Sequence, residues 1–311
     1  MTDLFLGIDL GGTNTKLGLC TEAGEPRGSA SIPTQADRGP QDTVNRVAAA
    51  ARALMDGHGA ARACAAGVPG TLDLERRLMV RPVNLKGWSN VPFPEMLGGA
   101  LGIPTFLEND ANCAAWGEFV AGAGRGAGSL ALYTLGTGIG GGIVLNADLW
   151  IGASGAAGEF GHMTVYPGGR PCPCGLLGCL EQYASANSLA RRYGKGSSRE
   201  CFEAARRGEA DALAAVDEAA EALSIGVSNV LHVLHPDVIV LAGGMALAGD
   251  LLLERVRKGV RDRVFEDYLK RIRIEISQVP GDDAGWLGAG LWAARKVAAP
   301  SPIREPTSAA R

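Results

Sequence analysis

The sequence predicts an α/β protein built from two related lobes that face one another across a cleft, and three observations lead there. Two Gly-rich turns, Gly11-Gly-Thr-Asn-Thr and Gly136-Thr-Gly-Ile-Gly-Gly, each sit between strand-like runs near the start of one half of the chain. Short apolar strands alternate with longer helical stretches in both halves. The chain has 311 residues, 46% hydrophobic and 20% charged, enough for one large or two ordinary domains, and this excludes a disordered chain.

In chain order, Leu4 to Leu10 reads as a buried strand and Lys16 to Cys20 as its return across the first turn. Thr43 to Met55 has helical spacing, with Val44, Val47 and Leu54 on one side, and Cys64 to Val68 is a short strand. Ile103 to Glu108 is another strand, after which a helix opens at Asn109 or Asp110, either of which is a good N-cap. The second half repeats the device: Ser129 to Leu135, the glycine turn, then Gly142 to Leu145. Helices are expected at Ala184 to Arg192, Arg199 to Arg207 and Ala210 to Leu234, the last stopped by Pro236. Val238 to Ala242 is a buried strand ending in Gly243-Gly244, and Lys258 to Arg273 reads as a solvated helix face of mixed charge. Ala284 to Val297 is a final apolar helix able to pack back on the first lobe. The lobes are expected at 1–118 and 119–298, with a frayed tail at 299–311. A cleft between such lobes is the default ligand site.

The net charge of −3 and pI of about 5.9 give no electrostatic reason to bind a polyanion, so nucleic acid is not an expected partner. No apolar run reaches the roughly 20 residues that cross a bilayer, and the N-terminus lacks a signal-peptide pattern; the reading is a soluble cytoplasmic protein. The 45 glycines point to tight turns and close backbone approaches, as around phosphates or sugars. Of seven cysteines, Cys20, Cys64, Cys113 and Cys201 are isolated and read as small buried hydrophobes, whereas Cys172, Cys174 and Cys179 cluster.

Gly136 to Gly141 matches the dinucleotide fingerprint in form, but a strand follows it where that site needs a helix. Tyr193-Gly-Lys-Gly-Ser-Ser fails as a phosphate-binding P-loop because Gly follows Lys195. Two loops presenting backbone N–H groups remain, with hydroxyls at Thr13 and Thr137, able to grip a triphosphate from two sides; the alternative is a pair of ordinary hairpins. His162, Cys172, Cys174 and Cys179 supply three thiolates and one imidazole, the donor set of a closed structural zinc site. Reduced unmetallated thiols or a redox pair are the alternatives.

Asp9-Leu-Gly-Gly-Thr-Asn-Thr-Lys16 resembles the first phosphate loop of the superfamily of sugar kinases, heat-shock ATPases and actin, in the form used by ROK-family sugar kinases. Leu135 to Gly142 resembles the family's second phosphate loop. Gly158-Glu-Phe-Gly-His162 and Cys172-Pro-Cys-Gly-Leu-Leu-Gly-Cys-Leu-Glu181 resemble its zinc signature, and the likeness runs from about Phe5 to about Gly290. It implies the two-lobed actin-like, ribonuclease H-like ATPase fold. It implies that Gly11, Gly12, Thr13, Asn14, Lys16, Thr137 and Gly138 bind ATP phosphates, that Gly243 and Gly244 admit adenosine, and that Asp9 orients hydrated Mg²⁺. It further implies that Asn109 holds a sugar hydroxyl and Asp110 is the catalytic base. Gly70, Asn84, Glu159, His162 and Glu181 complete the sugar pocket, with His162 also a zinc ligand. The helix dipole is expected to keep Asp110 ionised at rest. Trp88 reads either as a stacking surface or as a loop anchor.

The function expected is ATP-dependent phosphorylation of a hexose 6-hydroxyl, glucose first, with N-acetylmannosamine or N-acetylglucosamine as the alternative and fructose or mannose third. Polyphosphate or ADP as donor stays open, ATP being the family expectation. A sugar-responsive repressor of the same family would carry a helix-turn-helix before the first loop, and with Asp9 so early in the sequence the expectation is the kinase. A non-catalytic sugar-binding protein is the remaining class. The resemblance also implies a homo-oligomer, dimer or tetramer.

Overall fold

The computed structural model describes residues 2–82, 84–280 and 283–298. The expected tail at 299–311 lies outside them. The first half contains β1 (Leu4–Leu10), β2 (Asn14–Thr21), β3 (Pro26–Pro33), α1 (Pro40–His58), β4 (Ala61–Val68), β5 (Thr71–Leu72), β6 (Met79–Arg81), α2 (Phe93–Leu101), β7 (Thr105–Asn109) and α3 (Asp110–Ala121). The second contains β8 (Leu130–Leu135), β9 (Ile139–Leu145), β10 (Asp148–Leu149), α4 (Glu181–Ala184), α5 (Ala186–Tyr193), α6 (Ser198–Arg206) and α7 (Ala210–Leu234). It continues with β11 (Val238–Ala242), α8 (Asp250–Arg261), α9 (Glu266–Leu269), β12 (Arg273–Ile276) and α10 (Ala284–Val297).

Two five-stranded sheets carry the same topology. One runs β3-β2-β1-β4-β7 and the other β10-β9-β8-β11-β12, each with an antiparallel meander on one side and two parallel strands on the other. The glycine turns join the first two strands of each meander. Strand alternation then divides the core into layers. Leu6, Ile8 and Leu10 face α1 and α2, while Phe5 joins a central layer with α3, α10 and the inner face of the second sheet, including Leu130, Leu132, Val238 and Val240. Tyr133, Leu135, Ile239 and Leu241 point the other way, against α7 and α8. Two helices are thus sandwiched between the sheets, and α3 packs on β9 as well as on α10. The expected lobe boundary at 118–119 falls inside α3.

This sandwich accounts for many glycines that a reading in terms of turns and ligands does not. A Cβ on Gly7 would lie 1.7 Å from the carbonyl oxygen of Trp286, one on Gly18 2.5 Å from the Trp286 ring, and one on Gly142 2.6 Å from Ala115 Cβ. Strand backbone meets helix directly at these points, and glycine there shortens the distance between layers.

Glu118, near the end of α3, is fully buried and holds the crossing chain in place. Its carboxylate accepts from Ala123 N at 2.8 Å, Gln278 N at 3.2 Å, Val279 N at 2.9 Å and the Ser277 hydroxyl at 2.5 Å, so the segment that leads from β12 into α10 is tied to α3. Glu118→Gln keeps the volume but replaces one acceptor oxygen by a donor. Two donors then lose their acceptor at about 1–3 kcal/mol each, and the expected result is a lower Tm by thermal melting.

Several elements differ from the sequence reading. Ala184 to Arg192 is broken at Ser185, whose hydroxyl caps α5 by accepting from Ser188 N at 3.2 Å. Lys258 to Arg273 is not one helix face; it comprises the end of α8, a turn, the single-turn α9 and the start of β12. Strand β3 and helix α2 carry too little apolar periodicity to be read in advance. Among the described residues no helix is long and apolar enough to cross a membrane.

Candidate functional site

The first glycine turn is held from behind. Gly11 N donates to Asn14 O at 3.1 Å, the buried Thr34 hydroxyl donates to Gly11 O at 2.6 Å, and Thr34 N donates to Thr13 O at 2.8 Å. Gly12, Thr13 and Asn14 are left exposed at the tip, and Asp9 pairs in register with Lys16 across β1 and β2. Asn84, with φ 67°, sits so close that a Cβ on Gly12 would be 2.9 Å from its own. Gly70, with φ 89°, lies just beyond β4, where a side chain would be strained. Thr34 was not legible as a functional residue, because its role is to brace a loop more than twenty positions earlier.

The second turn is supported by Gly136 N to Gly138 O at 3.0 Å and by Ala186 N to Gly136 O at 2.8 Å. Gly136 and Thr137 line a cavity of about 650 Å³ together with Phe202, Arg206, Gly244 and Met245. Gly243, at φ 88°, turns the chain where a Cβ would meet Leu135 O at 2.6 Å, so Gly244 reaches the cavity wall from the end of β11. Phe202 and Arg206 come from α6, and no motif marks them.

Asp110 stands where β7 becomes α3. Asn109 is the N-cap, its Oδ1 accepting from Ala111 N at 2.9 Å and Asn112 N at 3.2 Å, which leaves its amide as donor. Asp110 itself accepts from Ala111 N at 2.8 Å. Burial pushes its carboxyl up to about 6, against the Ala111 N–H at the helix start, and nearby Asp9 and Glu159 add to the rise, so it holds its proton more tightly than a helix-start carboxylate alone would while still ionising at neutral pH. Burial likewise lifts Asp9 above the usual carboxylate range, against the pull of Lys16. A Cβ on Gly285 would be 2.6 Å from the Asp9 carboxyl, so the start of α10 abuts it. The three carboxylates therefore converge from both halves of the chain.

Glu159 precedes a short turn at Phe160–His162 and is exposed. Glu181, at the start of α4, accepts from Ile139 N at 3.0 Å through Oε2, which ties it to the second turn. Trp88 is a loop anchor, buried, with its Nε1 donating to Ala36 O at 3.0 Å.

His162, Cys172, Cys174 and Cys179 bring their ligand atoms within 4.8 Å of one another. Cys174 and Cys179 sulfurs are 3.7 Å apart, and Cys172 Sγ is 3.8 Å from His162 Nδ1. Zinc bonds of about 2.3 Å in a tetrahedron place sulfurs roughly 3.8 Å apart, so the donor set and its spacing fit the metal. Gln182 Nε2 donates to Cys172 Sγ at 3.6 Å, a second layer of support.

The ROK family profile matches residues 5–296. Glucokinase of Halalkalibacterium halodurans is 35% identical over 92% of this chain and 93% of its own. A ROK glucokinase from Streptomyces griseus, solved with glucose and AMPPNP, superposes with a TM-score of 0.80 at 30% identity, covering 94% of this chain and 99% of that one. The ROK hexokinase from Thermus thermophilus gives 0.83 at 34% identity, with 94% and 99% covered. The paired sheets are those of the two-lobed actin-like ATPase fold. On a match that spans nearly the whole chain, the protein belongs to the ROK family.

Proposed function

We propose that this chain is an ATP-dependent hexokinase that transfers the γ-phosphoryl group of ATP to the 6-hydroxyl of glucose. The observation that carries the reading is the meeting of Asp110 with Asp9 and Glu159, beside two glycine turns. Asp110 accepts the proton of the sugar hydroxyl as its oxygen bonds to phosphorus and ADP leaves. The Asn109 amide donates to a neighbouring hydroxyl while its Oδ1 stays engaged at the cap. Glu159, one oxygen of Glu181 and the face of His162 away from its Nδ1 take further hydroxyls, with Asn84 and Gly70 closing the pocket. Fixed acceptors of this kind position a substrate whose hydroxyls have one geometry.

Gly11 to Asn14 with Lys16, and Thr137 with Gly138, hold the phosphates. Gly243 and Gly244 leave room for adenosine, with Phe202 as an apolar wall. Asp9 would hold Mg²⁺ through its hydration shell, and that ion supplies charge neutralisation. His162, Cys172, Cys174 and Cys179 would hold zinc, and the ion would add rigidity to the loop between Glu159 and Glu181.

The test is an ATP- and Mg²⁺-dependent assay comparing kcat/KM for glucose, mannose, fructose, N-acetylglucosamine and N-acetylmannosamine. Dominant turnover of glucose is the expected result; preference for an N-acetyl sugar reassigns the substrate, and no turnover with any returns the chain to sugar binding alone. The elevated Asp110 sets a pH dependence. A base must be ionised to work, so log kcat/KM falls as pH drops below about 6, where burial holds its carboxyl. A profile flat down to pH 5 would be inconsistent with Asp110 as the base.

A further inference from the structure

Arg76 lies between β5 and β6 in left-handed backbone, at φ 57°, with its side chain only 10% exposed. Its guanidinium reaches three separate stretches of chain. Nε faces the Glu108 carboxylate at 3.2 Å from Oε1 and 3.3 Å from Oε2; Nη1 donates to Asp73 O at 3.3 Å; Nη2 donates to Gly155 O at 3.3 Å. Gly155 belongs to the loop of the second half that leads to Glu159, and a Cβ on it would be 2.7 Å from Arg76 Nη1. Glu108 is 2% exposed and lies two positions before Asp110. Its Oε1 accepts from Asn109 N and from Asn112 Nδ2, both at 2.9 Å, so it fixes the same strand end and first helical turn that Asn109 caps.

From this geometry we infer that Arg76 is a positioning residue: it joins the Glu159 loop of one lobe to the strand end that carries Asp110 in the other, so that sugar held by the loop and the base that deprotonates it are set by one guanidinium. A buried ion pair adds little stability over an apolar pair of the same size, so stability alone does not account for it. A planar fork with several donors spans the three partners, whereas a lysine presents one compact charge and cannot span them all. A cavity of about 760 Å³ lies against the pair, lined also by Leu74, Phe106 and Ile151, and it leaves space for the loop to shift relative to β7.

The inference rests on the hexokinase reading, and its test separates the two. Arg76→Lys keeps a charge beside Glu108 and loses the bridge to Gly155. Displacing a positioning element by about 1 Å costs on the order of a hundredfold, so kcat/KM for glucose is expected to fall about tenfold to a hundredfold, with KM for ATP unchanged and Tm lowered only as far as the lost hydrogen bonds require. Gly155→Ala, which pushes the loop off the guanidinium, should show the same kinetic signature together with a lower Tm, because Gly155 sits at φ 77° where a side chain is strained, and the double variant should lose no more kcat/KM than either single one. Additive losses, an equal rise in KM for both substrates, or near-normal turnover in Arg76→Lys would overturn the bridge. Wild type run alongside reports on the function itself: absence of hexose turnover in it overturns the hexokinase reading, and with it the inference.

Discussion

Asp110→Asn is expected to lower kcat by about a hundredfold to 10⁴-fold, the range that removal of a general base produces, while glucose and ATP still bind. The amide keeps the shape and can still accept from Ala111 N, so the turn that starts α3 is preserved. Stability should move the other way. The carboxyl is raised in the folded chain from its ordinary value of 3.8 to about 6, chiefly by burial. The folded state therefore binds this proton more tightly than the unfolded state, and stability from this group is lost as pH rises from about 4 to about 6. At pH 7 wild type carries that cost in full and Asp110→Asn does not, so the variant should melt higher than wild type at pH 7, with the gap closing below pH 4. Kinetics and melting curves on the same preparations check both. Near-normal turnover in the variant would remove Asp110 from the mechanism.

Cys179→Ser is expected to strip the zinc. Purified wild type should hold about one zinc per chain, as a single four-ligand site requires, and the variant close to none by elemental analysis. Binding of a structural zinc is itself folding free energy, of order 10 kcal/mol in small zinc domains at neutral pH. The tip of the loop between His162 and Glu181 is exposed at Cys174, Leu176 and Leu177, while its base is held without metal by the buried Val165 and Leu180 and by Val165 N donating to Gly178 O at 2.9 Å. Loss of the zinc should raise KM for glucose far more than KM for ATP, because His162 and Glu181 flank the metal whereas Thr137 and Gly244 do not. Carefully purified wild type without zinc would defeat the assignment.

The two glycine turns, the strands on either side of them, and the Cys and His cluster were legible because each is a local feature, its residue types and spacing carrying the chemistry within a few positions. The same is true of Asn109, an N-cap by residue type and position. Arg76, Thr34, Glu118 and Phe202 were not legible. Each acts on residues distant in sequence: Arg76 on Glu108 and Gly155, Thr34 on Gly11, Glu118 on the 277–279 segment. A lone charged, hydroxyl or aromatic residue outside a motif gives no local signal of such a role.

The charge state of Asp110 illustrates the division. The sequence places a carboxylate at a helix start, where the dipole favours ionisation. The tertiary structure buries it beside Asp9 and Glu159, and desolvation outweighs the dipole. The glycines divide in the same way. Those in the two turns could be assigned from sequence, because turn conformation is a property of a few consecutive residues. Gly7, Gly18 and Gly142 are required only because α3 and α10 are pressed between two sheets. The sequence by itself determined the paired turns, the donor set for zinc and the alternation of strands and helices; the packing of two helices between two sheets decided which carboxylates meet, how strongly each holds its proton, and which distant side chains brace them, since desolvation and contact depend on neighbours that only folding brings together.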